Sequence, residues 1–303
     1  MNTTNKQDVV RTQLAKEFIV QNLRGEKRLL PIKDYAERFK VGLGTVQSAL
    51  NDLKASGAVT LNACGAQGTF LGDVDQKALW NMSGYGILVA LLPLDTDPGI
   101  KGLATGLYEA FTHYDLPIHI LFARGSANRT DILLRGKCDF AVMSELAYHH
   151  AQAIGKPVLK VGEIGRRACP YGVLLPRNGT HSTPLRMAYD SYSYEQEALI
   201  RLLGWKEHSY GGCLGVQLAD LVRAGEVEAA LVNRESAAAD QENFEFRPLN
   251  GLPSRVEEQL DRSIVVVSQE NQSLADLLSI VASRALIEPV QEAVVRGERF
   301  VKY

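Results

Sequence analysis

Hydroxyls, amides and carboxylates gather at four places in this chain, each just past a short apolar run. Asp95 and Thr96 follow residues 87–92; Ser126, Asn128 and Arg129 follow 118–123; Ser144 closes 139–143; Ser191, Tyr192 and Ser193 follow 185–190. A helical pattern comes next each time, so the clusters fall where strands hand over to helix N-termini with unpaired N–H groups. Such places suit a small polar ligand, and an anion where the Arg129 guanidinium can pair with it. The same residue types also cap helices, at about 1 kcal/mol each, and Asp97, Asn128 and Ser193 stand at capping positions. Ligand contact and capping are equally good readings at this level. Tyr189, Tyr192 and Tyr194 likewise stack on a ligand or pack between elements.

More demanding chemistry finds no support. No nucleophile–base or acid–base set stands out in sequence order, and no catalytic residue is assigned. His149 and His150 are adjacent, so both cannot face one metal from a helix, and they read as exposed polar residues near a helix end. Cys64, Cys138, Cys169 and Cys213 are scattered without a C-x-x-C pair, which argues against zinc and for a reduced, cytoplasmic setting. Gly172, Gly179, Gly211, Gly212 and Gly215 build neither a Walker A loop nor a G-x-G-x-x-G turn. Gly102-Leu-Ala-Thr-Gly106 lies inside a helical stripe, where small residues serve close packing. The first residues lack the apolar core of a signal peptide. The longest apolar run, 87–92, falls far short of the ~20 residues a spanning helix needs. No metal, no cofactor and no membrane partner are expected.

A second constellation is aimed at nucleic acid. Ile32, Tyr35, Ala36 and Phe39 form an i, i+3, i+4, i+7 stripe, and Val46, Ala49, Leu50 and Leu53 form another after a turn holding Gly42 and Gly44. Pro31 opens the first helix and Gly57 follows the second. Two short amphipathic helices joined by such a turn make a helix-turn-helix, whose second helix enters a major groove. Thr45, Gln47 and Ser48 interleave with the buried stripe and therefore face outward. Gln47 suits a bidentate contact with adenine. Lys33, Arg38 and Lys40 are expected on phosphates. Residues 8–24 supply a preceding helix stopped by Gly25. Residues 58–61 and 69–71 read as short strands around a glycine-bearing tip, with Gln67, Gly68 and Thr69 approaching the backbone or minor groove.

With Tyr35-Ala-Glu-Arg-Phe39, Thr45-Val46, Ala49-Leu50, Leu53, Gly57 and Gly65-Ala-Gln-Gly-Thr-Phe70, residues 8–72 resemble the winged helix-turn-helix of GntR-type bacterial transcription regulators. The resemblance implies binding to a double-stranded DNA operator. Leu43 and Gln47 stand where members commonly carry arginine, and Gly42 where a capping serine is usual. Residues 1–72 hold ten Lys/Arg against six Asp/Glu, net +4, and the remainder 23 against 29, net −6. A basic head on an acidic body fits a nucleic-acid reader with a separate sensing domain.

The expected division is 1–72 as head, the polar stretch 73–84 as linker, and 85–303 as a two-lobed α/β domain. Strand, loop and helix alternate from residue 85, which predicts parallel sheets. The second lobe starts near Pro176, Ser193-x-x-Gln196 reads as a capping box, residues 264–267 form a late strand, and Ser273 opens a C-terminal helix. Gly136-Lys-Cys-Asp-Phe-Ala-Val-Met-Ser144 and its counterpart Gly225-Glu-Val-Glu-Ala-Ala-Leu-Val-Asn233 resemble the recurring strands of type-2 periplasmic-binding-protein domains. The fold class expected is thus α+β and α/β: an N-terminal winged helix-turn-helix plus a two-lobed periplasmic-binding-protein-like domain. A regulator sensing a small polar or anionic effector in an interlobe cleft follows from the two resemblances, and a homodimer is expected because one head offers little contact surface and two-fold proteins match palindromic sites. The alternative is an enzyme or substrate-binding α/β domain carrying a DNA-binding head.

Overall fold

The structure is a computed structural model of the 303-residue chain and describes residues 5–166, 171–177, 186–205, 209–213, 217–234 and 242–303. Asn5 accepts the Gln7 amide and opens α1 (Lys6–Arg24), which ends on Gly25 in the left-handed conformation, φ 72°. Val10, Leu14, Phe18 and Ile19 form its buried face. α2 (Ile32–Phe39) buries Tyr35 and Ala36, and α3 (Leu43–Ala55) buries Val46, Ala49, Leu50 and Leu53. The wing is the antiparallel pair β1 (Val59–Ala63) and β2 (Thr69–Val74). The α1–α2 connection joins it, because Leu29 N donates to Thr69 O at 2.9 Å. The polar stretch read as a linker contains α4 (Gln76–Ser83), where Asp75 accepts the Ala78 amide and Leu79 and Trp80 are buried. Its polarity hid a helix whose apolar side packs on α1.

The first α/β lobe is built from β3 (Leu88–Leu92), α5 (Pro98–His113), β4 (Ile118–Phe122), α6 (Ser126–Leu134), β5 (Phe140–Ser144), α7 (Glu145–Ala153) and β6 (Val158–Arg166). The second is built from β7 (Tyr171–Pro176), β8 (Met187–Asp190), α8 (Tyr194–Leu202), β9 (Ser209–Cys213), α9 (Leu218–Arg223), β10 (Ala229–Asn233) and β11 (Phe244–Pro248). Leu185, expected to begin β8, and Cys169, Gly179 and Gly215 lie outside the described residues. α10 (Ser254–Asp261) leads back to β12 (Arg262–Ser268), followed by α11 (Gln272–Val281) and α12 (Arg284–Val295).

The sheets run β4-β3-β5-β12-β6 and β11-β7-β10-β8-β9, the same order read from opposite ends. The sequence pattern predicted parallel sheets; each is mixed instead. β12 is antiparallel to both β5 and β6, and β7 is antiparallel to both β10 and β11. Alternation of strand and helix dictates parallel neighbours inside a lobe. It carries no signal for a strand that arrives from the other lobe.

Gly102 and Gly106 let α12 lie directly on α5. A Cβ on Gly102 would stand 2.8 Å from Gln291 Cα, and one on Gly106 2.8 Å from Ile287 Cγ2. Gln291 is buried there, donating to Gly99 O at 3.0 Å and Arg166 O at 2.6 Å. These glycines do serve packing.

Chain contacts define two units: Met1–Leu88 with Phe111–Pro117 and Gln272–Val281, and Val89–Ala110 with Ile118–Asn271 and Ala282–Tyr303. Within the first unit α11 packs on α1, with Leu274, Leu277, Leu278 and Val281 buried.

Candidate functional site

The lobes of the second unit meet around a carboxylate that the sequence pattern did not single out. Glu195 is the second residue of α8 and is 4% exposed. The Ser126 hydroxyl, at the start of α6, donates to its Oε2, and the Ser144 hydroxyl donates to Oε1 at 2.9 Å. Ser193, the α8 N-cap, donates at 3.1 Å. Each hydroxyl also accepts a backbone N–H: Ser126 from Tyr194 at 2.9 Å, Ser144 from Ala147 at 3.1 Å, Ser193 from Gln196 at 3.3 Å. An ionised carboxylate can only accept, so the hydroxyl protons point at it while each amide takes a lone pair of the hydroxyl oxygen. Arg129, 3% exposed, donates to Val142 O and Ala123 O and sets its charge nearby. Burial alone pushes the Glu195 carboxyl up. The Arg129 charge, the Ser126 hydroxyl, its own backbone N–H and the Ser144 hydroxyl outweigh that and hold it below the usual glutamate value.

The surrounding seam is tight. Ala127 N donates to Tyr192 O at 2.9 Å, and a Cβ on Gly125 would lie 2.4 Å from that carbonyl oxygen. Arg124 pairs with the buried Asp190 at 3.2 Å. His150, expected at the surface, is buried, with its Nε2 3.3 Å from a Glu197 oxygen and its ring 5.4 Å from that of Tyr194. Helical spacing explains the correction: His150 lies on the same face as Ala147 and Ala151, both buried.

Of the residues expected to face a ligand, Ser126, Arg129, Ser144 and Ser193 converge on Glu195. The others do not. Asp95 and Thr96 are exposed, and Asp95 accepts the Tyr303 hydroxyl at 2.9 Å. Asn128 donates to Arg124 O at 3.2 Å and does not cap α6, whose N-cap is Gly125. Tyr192 is 47% exposed and Ser191 half-buried, while Tyr194 packs into the first lobe's core. The expected capping box is only half formed, because Gln196 Oε1 accepts from Asp190 N at 2.7 Å instead. The signal for Glu195 was an acid in the first turn of a serine-capped helix, which the helix dipole alone explains.

On the head, α3 exposes Leu43, Gly44, Gln47, Asn51 and Lys54, with Thr45 and Ser48 half-buried at the flanks. Gln47 donates to Asn51 at 3.3 Å. Asn51 and Lys54 were missed, although they stand at i+4 and i+7 from Gln47. A groove of about 560 Å³ separates α3 from the wing, lined by residues including Arg28, Gln47, Lys54, Leu61 and Thr69. At the wing tip Gln67 is exposed, Gly68 takes φ 97°, and Thr69 is half-buried. Lys33 and Lys40 are exposed. Arg38 is exposed as well, and it pairs with Glu17 and lies over the rings of Tyr35 at 5.0 Å and Phe39 at 4.8 Å. Among the described residues no cluster of His, Cys, Asp or Glu could hold a metal ion, and no helix is long and apolar enough to cross a membrane.

A helix-turn-helix head with a β-wing, followed by two α/β lobes of matching strand order, defines a helix-turn-helix protein with a periplasmic-binding-protein-like domain. Residues 75–303 match the family described as the YhfZ C-terminal domain, and the chain belongs to that family. Residues 24–71 match a helix-turn-helix domain. The uncharacterized protein YhfZ of Escherichia coli (strain K12) is 27% identical over 314 residues, covering 98% of each chain. The crystal structure of YhfZ from Shigella flexneri superposes with a TM-score of 0.58 at 23% identity, over 76% of this chain and 98% of that one. The periplasmic VFT2 domain of Bordetella pertussis BvgS gives 0.53 at 11% identity, over 73% and 96% of the two chains. The solute receptor for L-cysteine of Neisseria gonorrhoeae gives 0.53 at 13% identity, over 72% and 92%. These structural likenesses establish the fold.

Proposed function

We propose that this chain is a GntR-type transcription regulator that binds a DNA operator through its winged head and responds to a small-molecule effector taken between the lobes of its C-terminal domain. The observation that carries the reading is the outward stripe of α3, with Gln47, Asn51 and Lys54 one turn apart beside the wing. Thr45, Gln47 and Ser48 read base edges, Lys33 and Lys40 hold phosphates, and Gln67, Gly68 and Thr69 of the wing meet the backbone or minor groove. One such head offers a small contact area, so the chain acts as a two-fold dimer on a palindromic site, in the cytoplasm where DNA is found. The fold shared with a receptor for L-cysteine supports a small-molecule ligand for the lobes. The seam residues Ser126, Arg129 and Ser144 supply anion-binding chemistry.

The alternative, an enzyme with a DNA-binding head, requires turnover. A gel-shift titration on operator fragments selected from random DNA, with and without metabolite pools, tests both. Effector-dependent shifts without product support the regulator. Product formation without any DNA complex overturns it. Sedimentation at micromolar concentration, with and without operator, tests the dimer, and monomer in both refutes it.

A further inference from the structure

We infer that the interlobe seam is a carboxylate-binding seat whose occupant in this chain is its own Glu195, so that an effector acting here is a carboxylate that displaces it. The inference rests on the effector reading above and names the effector's chemical class and mode of action. The seat belongs to the first lobe: the Ser126 and Ser144 hydroxyls and the buried Arg129 all lie between residues 126 and 144. Its occupant belongs to the second, on α8. The arrangement is that of a receptor closed on an anionic ligand, with the ligand tethered to the opposite lobe. Ser126 binds the lobes twice over, since its oxygen accepts Tyr194 N while its proton goes to Glu195. The Arg124–Asp190 pair and the Ala127–Tyr192 hydrogen bond seal the rim.

A buried carboxylate is retained only where its charge is met, and here three hydroxyls donate to it and the Arg129 charge lies nearby. Two of these hydroxyls lie 69 and 51 residues away in the chain, both in the lobe opposite the carboxylate. A free carboxylate competes with Glu195 for the same donors. Binding therefore releases the latch, and the effector-free form is the closed one.

Chemical rescue in the full-length protein tests this, with acetate as the probe because Glu195→Ala keeps Cβ and removes only the Cγ methylene and the carboxylate. Glu195→Ala in chloride buffer melts below the unsubstituted protein. Sodium acetate at matched ionic strength raises its melting temperature saturably, by roughly 3 °C near four times the dissociation constant, and leaves the unsubstituted protein almost unmoved. The further change Ser126→Ala in the Glu195→Ala background removes the response. Equal shifts with and without Glu195, or no shift in Glu195→Ala, overturn the inference. Should Glu195→Ala be unfolded in chloride, refolding in acetate against chloride decides the same question. Recovery of native circular dichroism only in acetate supports the seat, and recovery in neither, or equal recovery in both, refutes it. The readout is independent of DNA, so rescue without any operator response would refute the regulator and leave the seat. Operator response without rescue would do the reverse.

Discussion

Ser126 and Glu195 are joined across two lobes by a hydroxyl that gives its proton to the carboxylate and takes the Tyr194 amide at 2.9 Å. One oxygen atom thus satisfies two groups of α8 from the first turn of α6. Residues expected on sequence grounds to wait for a ligand are already engaged, and this alters what their removal does.

Ser126→Ala and Ser144→Ala are expected to destabilise the ligand-free protein by about 1–3 kcal/mol each, because each leaves a buried carboxylate short of a donor. Denaturant melts with a double-mutant cycle against Glu195→Gln check this: coupling of at least about 0.5 kcal/mol is expected, and strict additivity counts against the contact.

Acid should loosen the seam. The folded-state pKa of Glu195 lies below its unfolded value, so its contribution is fully present above the usual glutamate range and is lost as pH falls through the lowered folded value. The groups facing it are Arg129 of α6, the Ser126, Ser144 and Ser193 hydroxyls and the α8 backbone. Arg124–Asp190 and His150–Glu197 lie along the same seam. Comparing melting of the unsubstituted protein with Glu195→Gln across pH 3–7 cancels those neighbours. The difference should be constant at the upper end and shrink below the usual glutamate value; a constant difference throughout rules this out.

Gln47→Ala is expected to weaken a selected operator and relax base preference at one position, by about 1–3 kcal/mol of discrimination. Asn51→Ala should show part of the same loss through its hydrogen bond to Gln47. Fluorescence anisotropy on matched and single-mismatch operators measures both. Unchanged affinity and preference in Gln47→Ala removes it from the base-reading set.

Glu17→Gln frees the Arg38 guanidinium and deletes a negative charge on the head. Operator affinity should rise at low salt and the slope of log K against log salt should steepen by roughly one. No change in slope places Arg38 away from the DNA backbone.

Gly102→Ala opposes two effects. Helix propensity favours alanine by about 1 kcal/mol, but the new Cβ would stand 2.8 Å from both the Cα and the carbonyl oxygen of Gln291. Overpacking against backbone costs about 1–3 kcal/mol and should win. A chemical melt showing the variant to be less stable confirms the close approach, and a stabilised variant denies it.

Much of this fold was legible because the periodicities are local. The stripes of α2 and α3, Gly25 past α1, the strands of the first lobe and the Asp97 cap on Ile100 N at 2.9 Å all follow from neighbours in sequence. What was missed depends on long-range partners. Arg38 reads as a free cation until Glu17 arrives from α1, and Asp75 caps a helix that polarity disguised as a linker. Glu195 reads as a helix-dipole acid until two serines from the other lobe surround it. The antiparallel placement of β12 and β7 is a topological fact that no window of residues reports.

The position of β12 between β5 and β6 has a consequence in time. The first lobe's other strands end at Arg166, but its sheet stays split until Arg262–Ser268 has been made, about a hundred residues later. At about 5–20 residues per second, that interval lasts on the order of 5–20 s. The strands of the second lobe lie in one continuous stretch and are complete by Pro248, so the lobe begun later can close earlier. α1 meanwhile waits for α11 to cover it. Translation that stops before Ser268 therefore yields a finished second lobe attached to a sheet with two bare inner edges. Such a product is a client for chaperones and proteases rather than a shortened regulator.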